Sequence, residues 1–167
     1  MSVTIKQLVL AVIGLVAALL ALYLLFGRSD NSVRLQAQVT GTATEAGVGT
    51  YRASGTGLAN DQFGRVTLSG TGSGELVGNC VTFDGVGELA TAIGRLQLRL
   101  TKPGRACLTK AAVDQATGSA ELKVTVTVEA TGTDGSLLGR HGRLQARGTL
   151  DTDTGGFTVE LDGRLRR

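Results

Sequence analysis

VRLQAQV, residues 33–39, decides the fold: Val33, Leu35, Ala37 and Val39 alternate with Arg34, Gln36 and Gln38. On a β-strand successive side chains point to opposite faces, so this order puts every apolar group on one side and every polar group on the other. The pattern recurs. Leu96, Leu98 and Leu100 share one parity, as do Leu122, Val124, Val126 and Val128, then Leu144, Ala146 and Leu150, then Phe157, Val159, Leu161 and Leu165. Turn signals separate the runs at Asn60-Asp61, Lys102-Pro103-Gly104-Arg105, Asp134-Gly135, Gly139 to Gly142 and Gly155-Gly156. The count predicts seven to nine antiparallel strands in a mostly β domain, arranged as a sandwich or a small barrel.

Composition agrees. The 167 residues include 25 Gly, one Pro and no Trp, and such glycine content is costly inside helices. A faint repeat runs through the strands: RLQAQ at 34–38, RLQLR at 95–99 and RLQAR at 143–147, with Gly-Arg-(Val/Leu) beginning at Gly64, Gly94, Gly142 and Gly163. It reads as a repeated way of starting a strand, with Gly in the turn, Arg and Gln on the wet face and Leu in the core. Gly70-Thr71-Gly72-Ser73-Gly74 lacks the Lys-Ser/Thr of a phosphate loop and a following helix; alternating Gly in a strand marks close backbone approach.

The chain before this domain has a different character. Leu8 to Phe26 are 19 consecutive residues without a charge. As a helix they would extend about 28 Å, close to the ~30 Å hydrocarbon layer of a bilayer. Tyr23, Phe26 and Arg28 stand where interfacial anchors belong. A cleaved signal peptide is the rival reading, but its apolar region is shorter and Gly27-Arg28-Ser29 is a weak cleavage site. The expected division is therefore an anchor helix over 1–28, a linker over 29–32 and an exported all-β domain over 33–167. Ala11, Gly14, Ala18 and Ala21 follow i, i+3, i+4 spacing and form a stripe on which another membrane helix could seat. Heavy use of Ala, Gly, Arg, Leu and Val points to a GC-rich bacterial genome, and the expected site is the inner membrane, single-pass, with the β domain on the periplasmic side.

Cys80 and Cys107 are the only cysteines. Two buried thiols or one disulfide both fit; the oxidising compartment implied by export favours the disulfide, which for such a loop contributes about 3 kcal/mol.

Motifs for chemistry are sparse. His141 is the only histidine and sits in GRHGR, read as an exposed turn; with two cysteines it cannot complete a zinc site. No nucleophile elbow occurs, and no aromatic platform for sugar rings. Asp151-Thr152-Asp153-Thr154-Gly155-Gly156 spaces carboxylates like a calcium loop, but the twelfth residue is Asp162 and a hairpin turn is the better account. The net charge of +3 is dispersed and aromatics are few, which argues against nucleic acid. Arg164, Arg166 and Arg167 read as a solvated tail, with contact to anionic lipid headgroups as the alternative if the domain folds back on the bilayer.

The expectation is thus a non-catalytic accessory subunit without metal or cofactor. Its helix joins other integral membrane subunits in the lipid bilayer, and its β domain caps or clamps partners at the extracytoplasmic surface, as in a respiratory or photosynthetic complex. A barrel or sandwich holding a small apolar ligand or an envelope component is the first alternative. A surface or filament protein is the second.

Overall fold

The computed structural model describes residues 31–77, 80–107 and 121–167. The anchor helix, its stripe of Ala11, Gly14, Ala18 and Ala21, and the interfacial Tyr23, Phe26 and Arg28 lie outside the described residues. Among those described, no helix is long and apolar enough to cross a membrane. Ser32–Arg167 form one compact unit.

Nine strands follow one another: β1 (Val33–Gly47), β2 (Thr50–Ala59), β3 (Arg65–Val77), β4 (Cys80–Thr91), β5 (Gly94–Leu100), β6 (Gly104–Cys107), β7 (Glu121–Gly132), β8 (His141–Asp151) and β9 (Gly156–Arg166). A single 3₁₀ turn, Gly135–Leu137, precedes β8. Successive strands pair antiparallel except β5 with β6 and β6 with β7; β5 pairs instead with β7, β6 with β4, and β9 returns to β1. Closure makes an up-and-down barrel of eight strand positions and settles the choice between sandwich and barrel. Its inner face carries the alternating apolar residues: Leu35, Val39, Leu96, Leu144 and Leu165 are fully buried.

The eighth position is shared. β4 pairs with β5 from Val86↔Arg99 to Thr91↔Gly94, and with β6 from Cys80↔Cys107 to Phe83↔Gly104. The register slips by two residues between these blocks, so Thr101–Pro103 bulge out of the wall. Pro103 explains the break, because it has no N–H to give to a ladder. Thr101 N–H donates to the Thr127 carbonyl at 3.2 Å. Beyond that bond no ladder joins β6 to β7 among the described residues.

One end of the barrel is plugged. The Asn60–Gly64 turn folds Phe63 inward to complete burial; Phe63 N–H donates to the Asn60 carbonyl at 2.8 Å and Ala92 N–H to the Phe63 carbonyl at 3.0 Å. Asn60 fixes the turn to β1, accepting from Gln36 N–H and donating to the Arg34 carbonyl, both at 3.0 Å. From the other side the 3₁₀ turn brings in Leu137, also fully buried. Ser136 N–H donates to the Ile93 carbonyl, and Asp134 accepts from Arg95 through both its backbone N–H and its guanidinium. Gly132 permits this approach, since a Cβ there would collide with the Leu137 carbonyl.

The strands between the periodic runs carry glycine and alanine where others carry leucine. Gly70 faces Gly87 and Gly72 faces Gly85 across the β3–β4 pair, all with inward parity. Elsewhere phenylalanine rings fill the space that glycine leaves. Phe157 lies over Gly41 and Gly55, and Phe83 over Gly104.

Three features of the sequence are placed differently from expectation. Gly163 lies inside β9, where it lets the backbone of Arg143 and the Leu144 side chain approach, rather than opening a strand. His141 is exposed but begins β8, paired with Thr131 and Arg166, instead of sitting in a turn. Arg164 and Arg166 belong to β9; they are held in ladder register and do not form a tail.

Candidate interaction surfaces

Among the described residues there is no buried polar or charged side chain and no cluster of metal-ligating groups. Interest therefore falls on three surfaces: the open end, the outer wall, and the wall's margin at the plugged end.

At the open end Leu122 and Ala106 are buried, while most of the inward row stops short of full burial. Val81, Phe83, Val124, Leu150 and Phe157 are half-buried, and Tyr51, of the same inward parity on β2, is exposed. Around this mouth two apolar tips stand in solvent: Val48 in the β1–β2 turn, fully exposed, and Val77 at the end of β3, 58 % exposed. Gly49, with φ of +67°, makes the turn that projects Val48, and its carbonyl accepts from Gly74 N–H at 2.9 Å. Cys80 and Cys107 lie at this end, directly opposite each other on β4 and β6, and are joined by the expected disulfide.

The outer wall is built mainly from Thr, Ser, Gln and charged residues, with Leu58 and Val86 as exposed apolar side chains on β2 and β4. An apolar inside and polar outside is the reverse of what a membrane-spanning barrel presents to lipid. Two shallow grooves mark it. One of about 650 Å³ lies at the Pro103 bulge, bordered by Asp84, Arg99, Lys102 and Glu129. A second, about 390 Å³, crosses β1, β9 and β8 over Gln36, Gln38, Gln145, Arg147, Glu160 and Asp162. Both are open to solvent and mix charges of both signs. No family model matches the chain, nor does any curated protein. The functional reading therefore rests on these surfaces alone.

The β1–β9–β8 wall gives the repeat a geometric meaning that the sequence alone does not show. β1 and β8 flank β9 in the same register: Arg34 and Arg143 both face Arg164, Gln36 and Gln145 both face Asp162, and Gln38 and Arg147 both face Glu160. Three exposed arginines consequently stand in one row, where directly opposed like charges repel. Two have acidic neighbours: Arg34 makes a two-pronged contact with Asp162 at 3.0 and 3.1 Å, and Arg143 lies 3.9 Å from Glu129. Hydrogen bonding from the Arg34 guanidinium holds the Asp162 carboxyl below its ordinary value. Arg164, Arg166 and Arg167 have no acidic partner among the described residues.

The Asp151–Thr154 segment forms the β8–β9 turn. The Asp151 carboxylate accepts from Thr154 and Asp153 N–H, at 3.1 and 2.9 Å. Bonding to the Thr154 backbone, with a further share from Asp153, lowers its pKa. An Asx-type turn of this kind accounts for the alternating carboxylates.

Proposed function

We propose that this chain is a non-catalytic assembly subunit, anchored by residues 8–26 in a bacterial inner membrane, whose barrel seats part of another subunit on its open apolar end. The observation that carries the reading is the grouping of Val48, Tyr51 and Val77, exposed at that end around half-buried Phe83 and Phe157, on a barrel whose wall is otherwise largely polar. Exposed apolar groups gathered at one place are the usual mark of an interaction site. The partner is the extramembrane part of a membrane complex, with one of the respiratory or photosynthetic kind as the leading class.

A barrel of eight strands can hold a small ligand only if its interior side chains leave room. Here the phenylalanine rings occupy the glycine-lined space over β1, β2 and β6, and the grooves lie on the outer wall. This favours surface docking over an enclosed apolar ligand.

The test is co-migration. Tagged full-length protein is extracted from its source membranes in mild detergent, beside a Val48→Asp, Val77→Asp variant. A discrete partner that accompanies the unaltered chain and is lost from the variant supports the reading. A chain that runs alone, or a partner indifferent to both substitutions, overturns it.

A further inference from the structure

The three-arginine row lies at the plugged end of the barrel, the end at which the chain enters β1. Arg34 is the second residue of β1, and Arg166 closes β9 opposite His141. Only seven peptide units separate Phe26, the end of the apolar run, from Val33, which opens β1 at this end. The exposed side chain of Leu138, 58 % accessible, projects from the β7–β8 connection at this same end. Among the described residues the opposite end carries Glu45, Glu75, Glu121, Asp151 and Asp153, with Arg52, Arg105 and Lys123 as its cations. Asp61 and Asp134 also lie at the plugged end but are outnumbered by its arginines, so among the described residues the charge is polarised along the barrel, basic where the chain enters and acidic at the mouth.

We infer that the plugged end rests on the bilayer surface, with Arg143, Arg164 and Arg166 on the phosphates of anionic headgroups and Leu138 at the acyl boundary. This rests on the reading that residues 8–26 reside in lipid. Guanidinium groups grip phosphate through paired N–H donors. A headgroup phosphate beside Arg164 relieves the repulsion that Arg34 and Arg143 impose on it from both sides, and Asp162 and Glu129 leave that middle position unneutralised. Free phosphate could occupy the row equally well by chemistry alone; the tether and the exposed leucine select the membrane. With the plugged end down, the open mouth faces away from the bilayer, toward extramembrane partners.

Because the chain has no tryptophan, single reporters can be introduced without background. Full-length Leu138→Trp and Val48→Trp proteins are reconstituted into vesicles of neutral phosphatidylcholine, or of the same lipid with phosphatidylglycerol and brominated acyl chains. In anionic vesicles the Leu138→Trp emission should shift to the blue and be quenched, the Val48→Trp emission should do neither, and salt should reverse the effect. Adding Arg143→Gln, Arg164→Gln and Arg166→Gln should weaken the contact by on the order of a hundredfold. The salt titration needs no change to the arginines, so a misfolded variant cannot decide the outcome. Indifference of Leu138→Trp to lipid charge, in protein that still floats with neutral vesicles at high salt, overturns the inference and leaves the anchor standing. Flotation only on anionic vesicles at low salt upholds the arginine surface and overturns the anchor. Reversal by free phosphate more effectively than by an equal ionic strength of chloride overturns the choice of headgroup over soluble anion. Absence of flotation under every condition overturns both.

Discussion

Leu137 illustrates how much of the barrel depends on single side chains. It enters from a three-residue turn, is fully buried, and lies over Gly132 so closely that the turn and β7 could not coexist with any larger residue at that position. Truncating it leaves a void in the buried cluster that also holds Phe63 and Leu96. Leu137→Ala should therefore cost about 2–5 kcal/mol in urea or guanidinium unfolding, and a loss well under 1 kcal/mol would mean the plug is not packed as described. Asp134 holds that turn to β5. The Arg95 hydrogen bond holds its carboxyl below the ordinary carboxylate value, so the unfolded chain takes up a proton before the folded one does. The stabilisation is complete above about pH 4 and disappears as the pH falls through the lowered native value. The melting temperatures of the protein and of Asp134→Asn should accordingly differ at neutral pH and converge in acid; a gap that stays constant from pH 7 to acid would contradict this linkage.

At the scale of elements, legibility followed the size of the inward residue. β1, β5, β7, β8 and β9 use Leu and Val at inward positions, and their period of two is plain in the sequence. β2, β3 and β4 use Ala53, Gly55, Gly57, Gly70, Gly72, Gly85 and Gly87 instead, so the contrast that marks a strand shrinks to glycine against serine or threonine. SGTGSG at 69–74 is that weaker signal. The cysteine pair was legible because residue type and expected compartment suffice to favour a bond; its place was not, because the Pro103 bulge that brings β6 beside β4 is a tertiary event. The bond ties the short β6 to the barrel where β7 gives it no ladder among the described residues. Cys80→Ser with Cys107→Ser should lower stability by about 3 kcal/mol and leave a folded barrel by circular dichroism. Unchanged stability would show that β6 is held by its packing alone.

Over the whole molecule, what the sequence hid was juxtaposition. The repeated RLQ segments suggested equivalent strands, but only the closure of β9 onto β1 brings Arg34, Arg164 and Arg143 into one row. Likewise Val48, Tyr51 and Val77 are unremarkable as letters and become a surface because two turns and an inward row end at the same mouth. Closure also explains why so few aromatics suffice: Phe63 plugs one end, while Phe83 and Phe157 cover glycines toward the other. The most direct measurement of the proposed role is site-specific photo-crosslinking in the source membranes, with a photoreactive residue at Val48 on the mouth or at Thr56 on the outer face of β2. The account predicts one discrete protein adduct from position 48 and none from position 56. Equal labelling from both positions, or no adduct from position 48, would contradict it.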